Sequence, residues 1–483
     1  MAFTIENGVL TKYTEEAGVT EVIIPEGVTT IGSGAFAKCT SLTSVIIPEG
    51  VNLIDSSAFA NCTSLTSVII SEGVTRINPA AFAGCTSLQH VEIPSSVSII
   101  DILAFDKTPW LERQSDDYVI GGSVLIKCQS KEKELFVPEG ITFSTDGAFD
   151  GVKAEIIHLP GSLTDFGTGM FDGMETLRQV TFSDQATEIG GSFCSDCDIE
   201  TVDFPAGLKS ILNDAFYGCA HLHDLVFPDG LEEIGEYAFR YCNALEEIIL
   251  PDSIKAIEQL AFCDCGDLKR VVLPNNNAFL GEDAFCSVPI RHLHIPASFI
   301  DGESISYAFT RNQISEITVD ADNPSLTAVD GVLYSKDLTV LYKAPDMIEQ
   351  ITIPETVTKI MDYAFLNCSK LRDLSLSRYL ESIGESAFRG CTALQVLDLP
   401  CVLQKIGPSA FEGCNSLTSV ALPQGLKQIG TKAFFKCTAL TAIAIPDSVT
   451  ELGDAAFRGC AALKDVQMPE RMRCCKRPIQ RTS

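Results

Sequence analysis

Apolar residues return along this chain in a frame of 22 or 23 positions, and Leu42 to Cys62 (LTSVIIPEGVNLIDSSAFANC) shows one clean unit. Its apolar positions are Leu42, Val45, Ile47, Val51, Ile54, Ala58, Phe59 and Cys62, and Leu65 opens the next unit. Val45 and Ile47 alternate with Ser44 and Ile46, the period of a strand with one buried face. Pro48 stops that strand, because it has no N–H for a ladder. Glu49-Gly50 then reads as a turn, and the Val51-x-x-Ile54 step as a second short extended or turn segment. Ser57 to Cys62 reads as a single helical or 3₁₀ turn that closes the unit.

Phenylalanine keeps the beat most strictly. It recurs at Phe36, Phe59, Phe82, Phe105, Phe149, Phe171, Phe193, Phe216, Phe239, Phe262, Phe285, Phe309, Phe365, Phe388, Phe411, Phe434 and Phe457, and thirteen of the sixteen gaps are 22 or 23 residues. A repeat of this length predicts a solenoid whose coils contact only their neighbours. Each ring is expected to pack on those before and after it, and full burial of one contributes about 1.5–3 kcal/mol. Coils at a strand spacing of about 4.8 Å would run for roughly 85 Å.

The frame L-x-x-[VI]-x-[IL]-P…V-x-x-I-G…A-F-x-x-C, seen from Leu440 through Pro446 to Ala456-Phe457 and Cys460, resembles the BspA-like leucine-rich repeat family over roughly residues 1–470. The resemblance implies an α/β repeat solenoid: a parallel β-sheet on one face, with short strands and helical or 3₁₀ turns on the other. It also implies roles in adhesion or protein recognition for secreted members.

Two insertions interrupt the beat, at about 106–134 and 315–345. Tyr118–Lys127 and Asp330–Tyr342 combine turn signals with alternating apolar residues, and so does Glu6–Tyr13. Each reads as a β-hairpin. These readings give a hairpin-like cap over 1–19, a continuous repeat array over 20–469 and a basic tail over 470–483. The tail holds five Arg or Lys against one Glu and is expected to be disordered.

Composition narrows the function. Net charge is −29, which argues against nucleic acid, since that needs a basic stripe to release counterions. Eleven of the 19 cysteines fall three residues after the phenylalanine. In that slot Cys is expected to act as a small buried hydrophobe, with parallel Cβ vectors that disfavour disulfides across the ladder. Many free thiols favour a reducing compartment. The first residues show no basic and apolar leader, and no apolar run reaches membrane-spanning length. The expectation is a cytoplasmic monomer. The alternative is a cell-surface or secreted protein exported by a non-classical route, because the family resembled is often found on surfaces.

Function on such an array is expected on the outward strand positions, two and four residues before the proline slot. The two-before series carries two aliphatic runs, Ile23-Ile46-Ile69 followed by Glu92, and Val226-Ile249-Val272. Such runs mark a protein-binding stripe or simply stabilise the sheet. His292 and His294 alternate on one strand and should both point outward. They lack a third metal ligand at a useful spacing. Cys194-x-x-Cys197 lacks a partner pair, and Asp320, Asp322, Asn323 and Asp330 lack the glycine and closing glutamate of a calcium loop. No nucleophile–base set or phosphate-binding glycine loop occurs. The sequence therefore predicts a non-enzymatic scaffold without cofactor or metal that recognises an unknown protein ligand. An adhesin or host-matrix binder is the rival.

Overall fold

The computed structural model describes residues 3–101, 103–113, 116–164 and 166–468; the basic tail lies outside them. The chain divides into two compact units, Met1–Asp224 and Leu225–Ser483. That division falls in neither insertion.

Each coil has three sides. The first is the strand that ends at the proline slot. In the N-terminal unit Glu21–Ile23, Ser44–Ile47, Ser67–Ile70 and His90–Glu92 pair parallel in register. So do Glu134–Phe136, Ile156–His158, Gln179–Thr181 and Thr201–Asp203. The second side is the Val-x-x-Ile segment. Its two-residue strands, such as Thr30–Ile31, Leu53–Ile54 and Arg76–Ile77, form a second parallel sheet. In the C-terminal unit the same role falls to Lys359–Ile360, Ser382–Ile383, Lys405–Ile406, Gln428–Ile429 and Glu451–Leu452.

The third side, around the phenylalanine, corrects the α/β expectation. It is not a helical turn. In most coils the residues two before and two after the ring sit in the left-handed region, as with Ser57 (φ 57°) and Asn61 (φ 59°) around Phe59, or Leu260 (φ 59°) and Asp264 (φ 61°) around Phe262. An α-helix cannot continue through such residues. Instead, alternate N–H groups point at the next coil: Ser57, Phe59 and Asn61 donate to the carbonyls of Pro79, Ala81 and Ala83 at 3.0, 2.7 and 2.8 Å. These inter-coil bonds offset the cost of the left-handed residues. Helix is confined, among the described residues, to Pro109–Glu112 and Gly302–Ala308. The fold is a leucine-rich-repeat solenoid of parallel strands.

Inside, the rings are fully buried and stack. Centroids lie 4.7 Å apart for Phe36–Phe59 and 5.0 Å for Phe59–Phe82, with planes nearly parallel in the latter pair. The beat does not stack throughout. Phe149, Phe171 and Phe193 meet edge to face, and Phe105 closes on Trp110 at 4.8 Å.

The ladder cysteines do more than fill volume. The Cys62 thiol donates to the Phe36 carbonyl of the preceding coil at 3.0 Å, Cys85 to Phe59 at 3.1 Å and Cys414 to Phe388 at 3.2 Å. Val or Ala would fill the slot but leave that acceptor short of a donor. Desolvation pushes the Cys265 and Cys414 thiols up to about 12. The disulfide present, Cys263–Cys286, lies off the ladder, one residue after Phe262 and Phe285.

At the interruptions the strands turn antiparallel. Tyr118–Gly121 pairs with Val124–Cys128, which joins Phe143–Ser144 in parallel. Leu326–Val329, Val332–Ser335 and Val340–Lys343 form three antiparallel strands, and Val340–Lys343 continues onto Lys359–Ile360. There the fully buried Lys343 ammonium meets Asp346 at 3.3 Å, and Asp346 also accepts the Ile314 N–H at 3.0 Å. Phe3–Glu6 pairs antiparallel with Val9–Tyr13, which lies along Thr30–Ile31. Tyr13 stacks on Phe36 at 4.8 Å and so extends the aromatic column.

The glycine of the Ile-Gly step marks where coils touch most closely. A Cβ on Gly430 would lie 2.4 Å from Pro408 N, and one on Gly453 2.1 Å from Thr431 N. Both neighbours are backbone and cannot swing aside. Gly430→Ala should therefore destabilise the C-terminal unit by about 1–3 kcal/mol in urea denaturation. Gly161→Ala, whose Cβ would find nothing nearer than Glu139 at 3.9 Å, should change stability by less than about 0.5 kcal/mol. Equal effects would contradict the close-approach account.

Candidate functional site: the outward sheet face and a cationic cleft

Strand alternation sends every second side chain away from the core, and the two-before positions do face outward. In the N-terminal unit Ile23, Ile46, Ile69 and Glu92 stand side by side on four paired strands. Ile23 is 66% exposed, Ile46 half-buried and Glu92 exposed. Further along this unit Phe136, 64% exposed, stacks on His158 at 4.3 Å, and His158 reaches Thr181 Oγ1 at 2.9 Å and Glu134 at 3.0 Å.

In the C-terminal unit Val226 is 79% and Ile249 57% exposed, and Ile249 pairs in register with half-buried Val272. His292 and His294 also point outward. His292 Nδ1 lies 3.4 Å from Glu316, while His294 meets Asp320 at 3.3 Å and Thr318 Oγ1 at 3.0 Å. Each imidazole is thus matched to the neighbouring strand rather than to the other. Among the described residues no group of three His, Cys, Asp or Glu side chains is placed to hold a metal. Cys194 and Cys197 are buried, and the Cys197 thiol donates to the Phe171 carbonyl at 2.8 Å, in the manner of the ladder. Asn323 is a buried turn clamp. Its amide donates to the Pro296 and Phe299 carbonyls and its oxygen accepts from Ser325 and Leu326.

Beside the Ile249–Val272 stripe opens a cleft of about 760 Å³ between strands Arg270–Val272 and His292–Ile295. Val272, Leu273 and Pro289 give it an aliphatic floor, and Lys269, Arg270, Arg291, His292 and His294 its walls. Among the described residues no carboxylate lines it, in a chain with 64 Asp and Glu against 35 Lys and Arg. The outward histidines were legible from strand alternation. Arg291 and the cleft were not, since neither can be seen without knowing which strands fail to pair. The off-beat Pro289 and the spacing from Phe285 to Pro296, one residue shorter than from Phe262 to Pro274, were the available signals.

Coils, rings and outward faces of this kind define a leucine-rich-repeat scaffold. The chain belongs to the BspA type leucine rich repeat family, whose model matches residues 11–116, 114–222, 187–315 and 341–474. Among solved structures, it is similar to a leucine rich cell surface protein from Faecalibacterium prausnitzii, at 25% identity over 76% of this chain and 98% of that one, with a TM-score of 0.56. A leucine-rich repeat protein from Bacteroides ovatus matches at 21% identity over 97% of each chain, with a TM-score of 0.36. The pneumococcal vaccine antigen PcpA matches at 20% identity over 73% of this chain and 80% of its own, with a TM-score of 0.41. No curated protein sequence matches. The family is a repeat scaffold, and nothing in these comparisons indicates an enzymatic family. Among the described residues no helix is long and apolar enough to cross a membrane.

Proposed function

We propose that the chain is a non-enzymatic scaffold, monomeric and free of cofactor, that recognises a protein through the outward face of its parallel sheet. The observation that carries this reading is the uncovered aliphatic stripe: Val226 is 79% and Ile249 57% exposed, and Ile249 lies in register with Val272, which lines the cleft together with His292 and His294. A stabilising cross-strand pair would be served by half-buried side chains. Aliphatic residues left this open in a polar rim suit a partner's surface. Ile23, Ile46, Ile69 and Glu92 are the corresponding contact row of the N-terminal unit.

The place of action that best fits is the cell surface, in the manner of an adhesin, rather than the cytoplasm. The likeness to the Faecalibacterium prausnitzii cell surface protein supports it, and so does the Cys263–Cys286 disulfide. The interior thiols no longer argue for a reducing compartment. Burial keeps most of the ladder thiols out of reach of oxidants, and desolvation holds those of Cys265 and Cys414 protonated.

A pull-down with native protein against the double variant Ile249→Asp, Val272→Asp tests the stripe. Loss of the captured partner from a variant with an unchanged circular dichroism spectrum is expected. Retention of the same partner would remove the stripe from the contact surface. Cleavage of the protein by protease added to intact cells is the expected result for surface display, and full protection would return it to the cytoplasm.

A further inference from the structure

The cleft beside the stripe is a gap in the ladder of backbone hydrogen bonds. One coil earlier, Lys269 N–H donates to the Glu246 carbonyl at 2.9 Å and Leu250 N–H to the Val272 carbonyl at 3.1 Å. The equivalent donors of the next step are Arg291 N–H and Leu273 N–H. Among the described residues no backbone bond joins Lys269–Leu273 to Arg291–Ile295. Pro289, which has no N–H and a fixed φ, leads into the second strand. The inner edges of two strands therefore face the cleft with backbone donors and acceptors unspent on each other.

The charge of the walls says what such edges would accept. Lys269 is matched by Glu246 at 3.4 Å, Arg270 by Glu247, His292 by Glu316 and His294 by Asp320. Arg291 is exposed and meets no carboxylate among the described residues. Arg291 and Gln313 line the cleft together with its aliphatic residues, and Arg291 brings a guanidinium with no carboxylate partner among the described residues. Open strand edges take an extended backbone, alternate pockets take its side chains, and an unpaired Arg takes a carboxylate in bidentate fashion.

We propose that this cleft receives an extended, acidic segment of the protein partner, with an aliphatic side chain on Val272, Leu273 and Pro289 and a carboxylate on Arg291. The proposal rests on the protein-recognition reading above. It adds the chemistry of the recognised segment and the residue that selects it.

Fluorescence anisotropy with labelled synthetic peptides of equal length, alternating Leu with Glu, Leu with Gln or Leu with Lys, tests it on the full chain. The Glu peptide should bind at least about tenfold more tightly than the Gln peptide, and the Lys peptide not measurably. Arg291→Glu should weaken the Glu peptide at least about tenfold and Arg291→Gln by less, while neither changes the Gln peptide. About 0.5 M NaCl should erase the preference. Equal binding of Glu and Gln peptides, or an unchanged Glu-peptide affinity in Arg291→Glu, would overturn the proposal. Displacement of the peptide by free glutamate or inorganic phosphate at its own affinity would do the same, by making the cleft a small-anion site. The outcomes separate from those of the stripe. A partner lost with Ile249→Asp alone, which leaves the Val272 floor of the cleft in place, but kept by Arg291→Glu sinks the cleft alone, and a partner kept by both sinks both readings.

Discussion

Phe411→Ala should lower the stability of the C-terminal unit by about 3–5 kcal/mol, near the upper end for a single core truncation. The ring is fully buried and stacks on both neighbours, 5.2 Å from Phe388 and 5.2 Å from Phe434, with planes within 11°. Its removal therefore opens a void against two faces at once, and each aromatic pair adds about 0.5–1.5 kcal/mol beyond area burial. Because coils touch only their neighbours, the loss cannot be shared over the array. The control lies one residue off the beat in the next coil. Phe435 is only half-buried, with Lys432 and Lys436 over its ring at 5.8 and 5.3 Å, and Phe435→Ala should cost under about 1 kcal/mol. Urea denaturation followed by circular dichroism separates the two. Similar midpoints would show that the column is not the main source of cohesion.

A comparable loss is expected from alkali alone. An unfolded thiol ionises near pH 8.5, whereas burial holds the folded Cys265 and Cys414 thiols protonated up to about 12. Burial pushes the Cys368 and Cys391 thiols up as well. Above about pH 8.5 unfolding therefore releases protons. The stabilising contribution is whole below that pH and is lost as pH rises toward about 12, by up to about 1.4 kcal/mol per pH unit for each thiol. The urea midpoint should fall steeply between about pH 8 and pH 10. The double variant Cys265→Ala, Cys414→Ala should start lower but decline more gently. A native slope no steeper than the variant's would mean that the ladder thiols do not carry this dependence.

What could be read from the residues divides along a physical line. A side chain that must occupy the same place in every coil leaves a periodic trace, which is why Phe59, Pro48 and the Val45/Ile47 alternation gave the coils and their outward faces. The helical reading of Ser57–Cys62 failed because left-handed backbone at Ser57 and Asn61 carries no residue signature. The slot holds Leu103, Tyr237 and Lys432 as readily as glycine. The cysteine's reason was hidden too, since its acceptor is a main-chain carbonyl, and all carbonyls look alike in a sequence. The Arg291 cleft depends on hydrogen bonds that are not made, and unmade bonds leave even less trace.

Along the phenylalanine side, the three N–H groups of most coils find their acceptors 22 residues further on, in the next coil. That constancy has a genetic consequence. Duplicating or deleting one full coil's worth of coding sequence between equivalent points presents every donor with an acceptor of the same kind. A change of one codon within a strand instead turns its outward and inward residues about. The array can thus lengthen or shorten by whole turns in single recombination events, carrying its outward rows of side chains along as interchangeable cassettes.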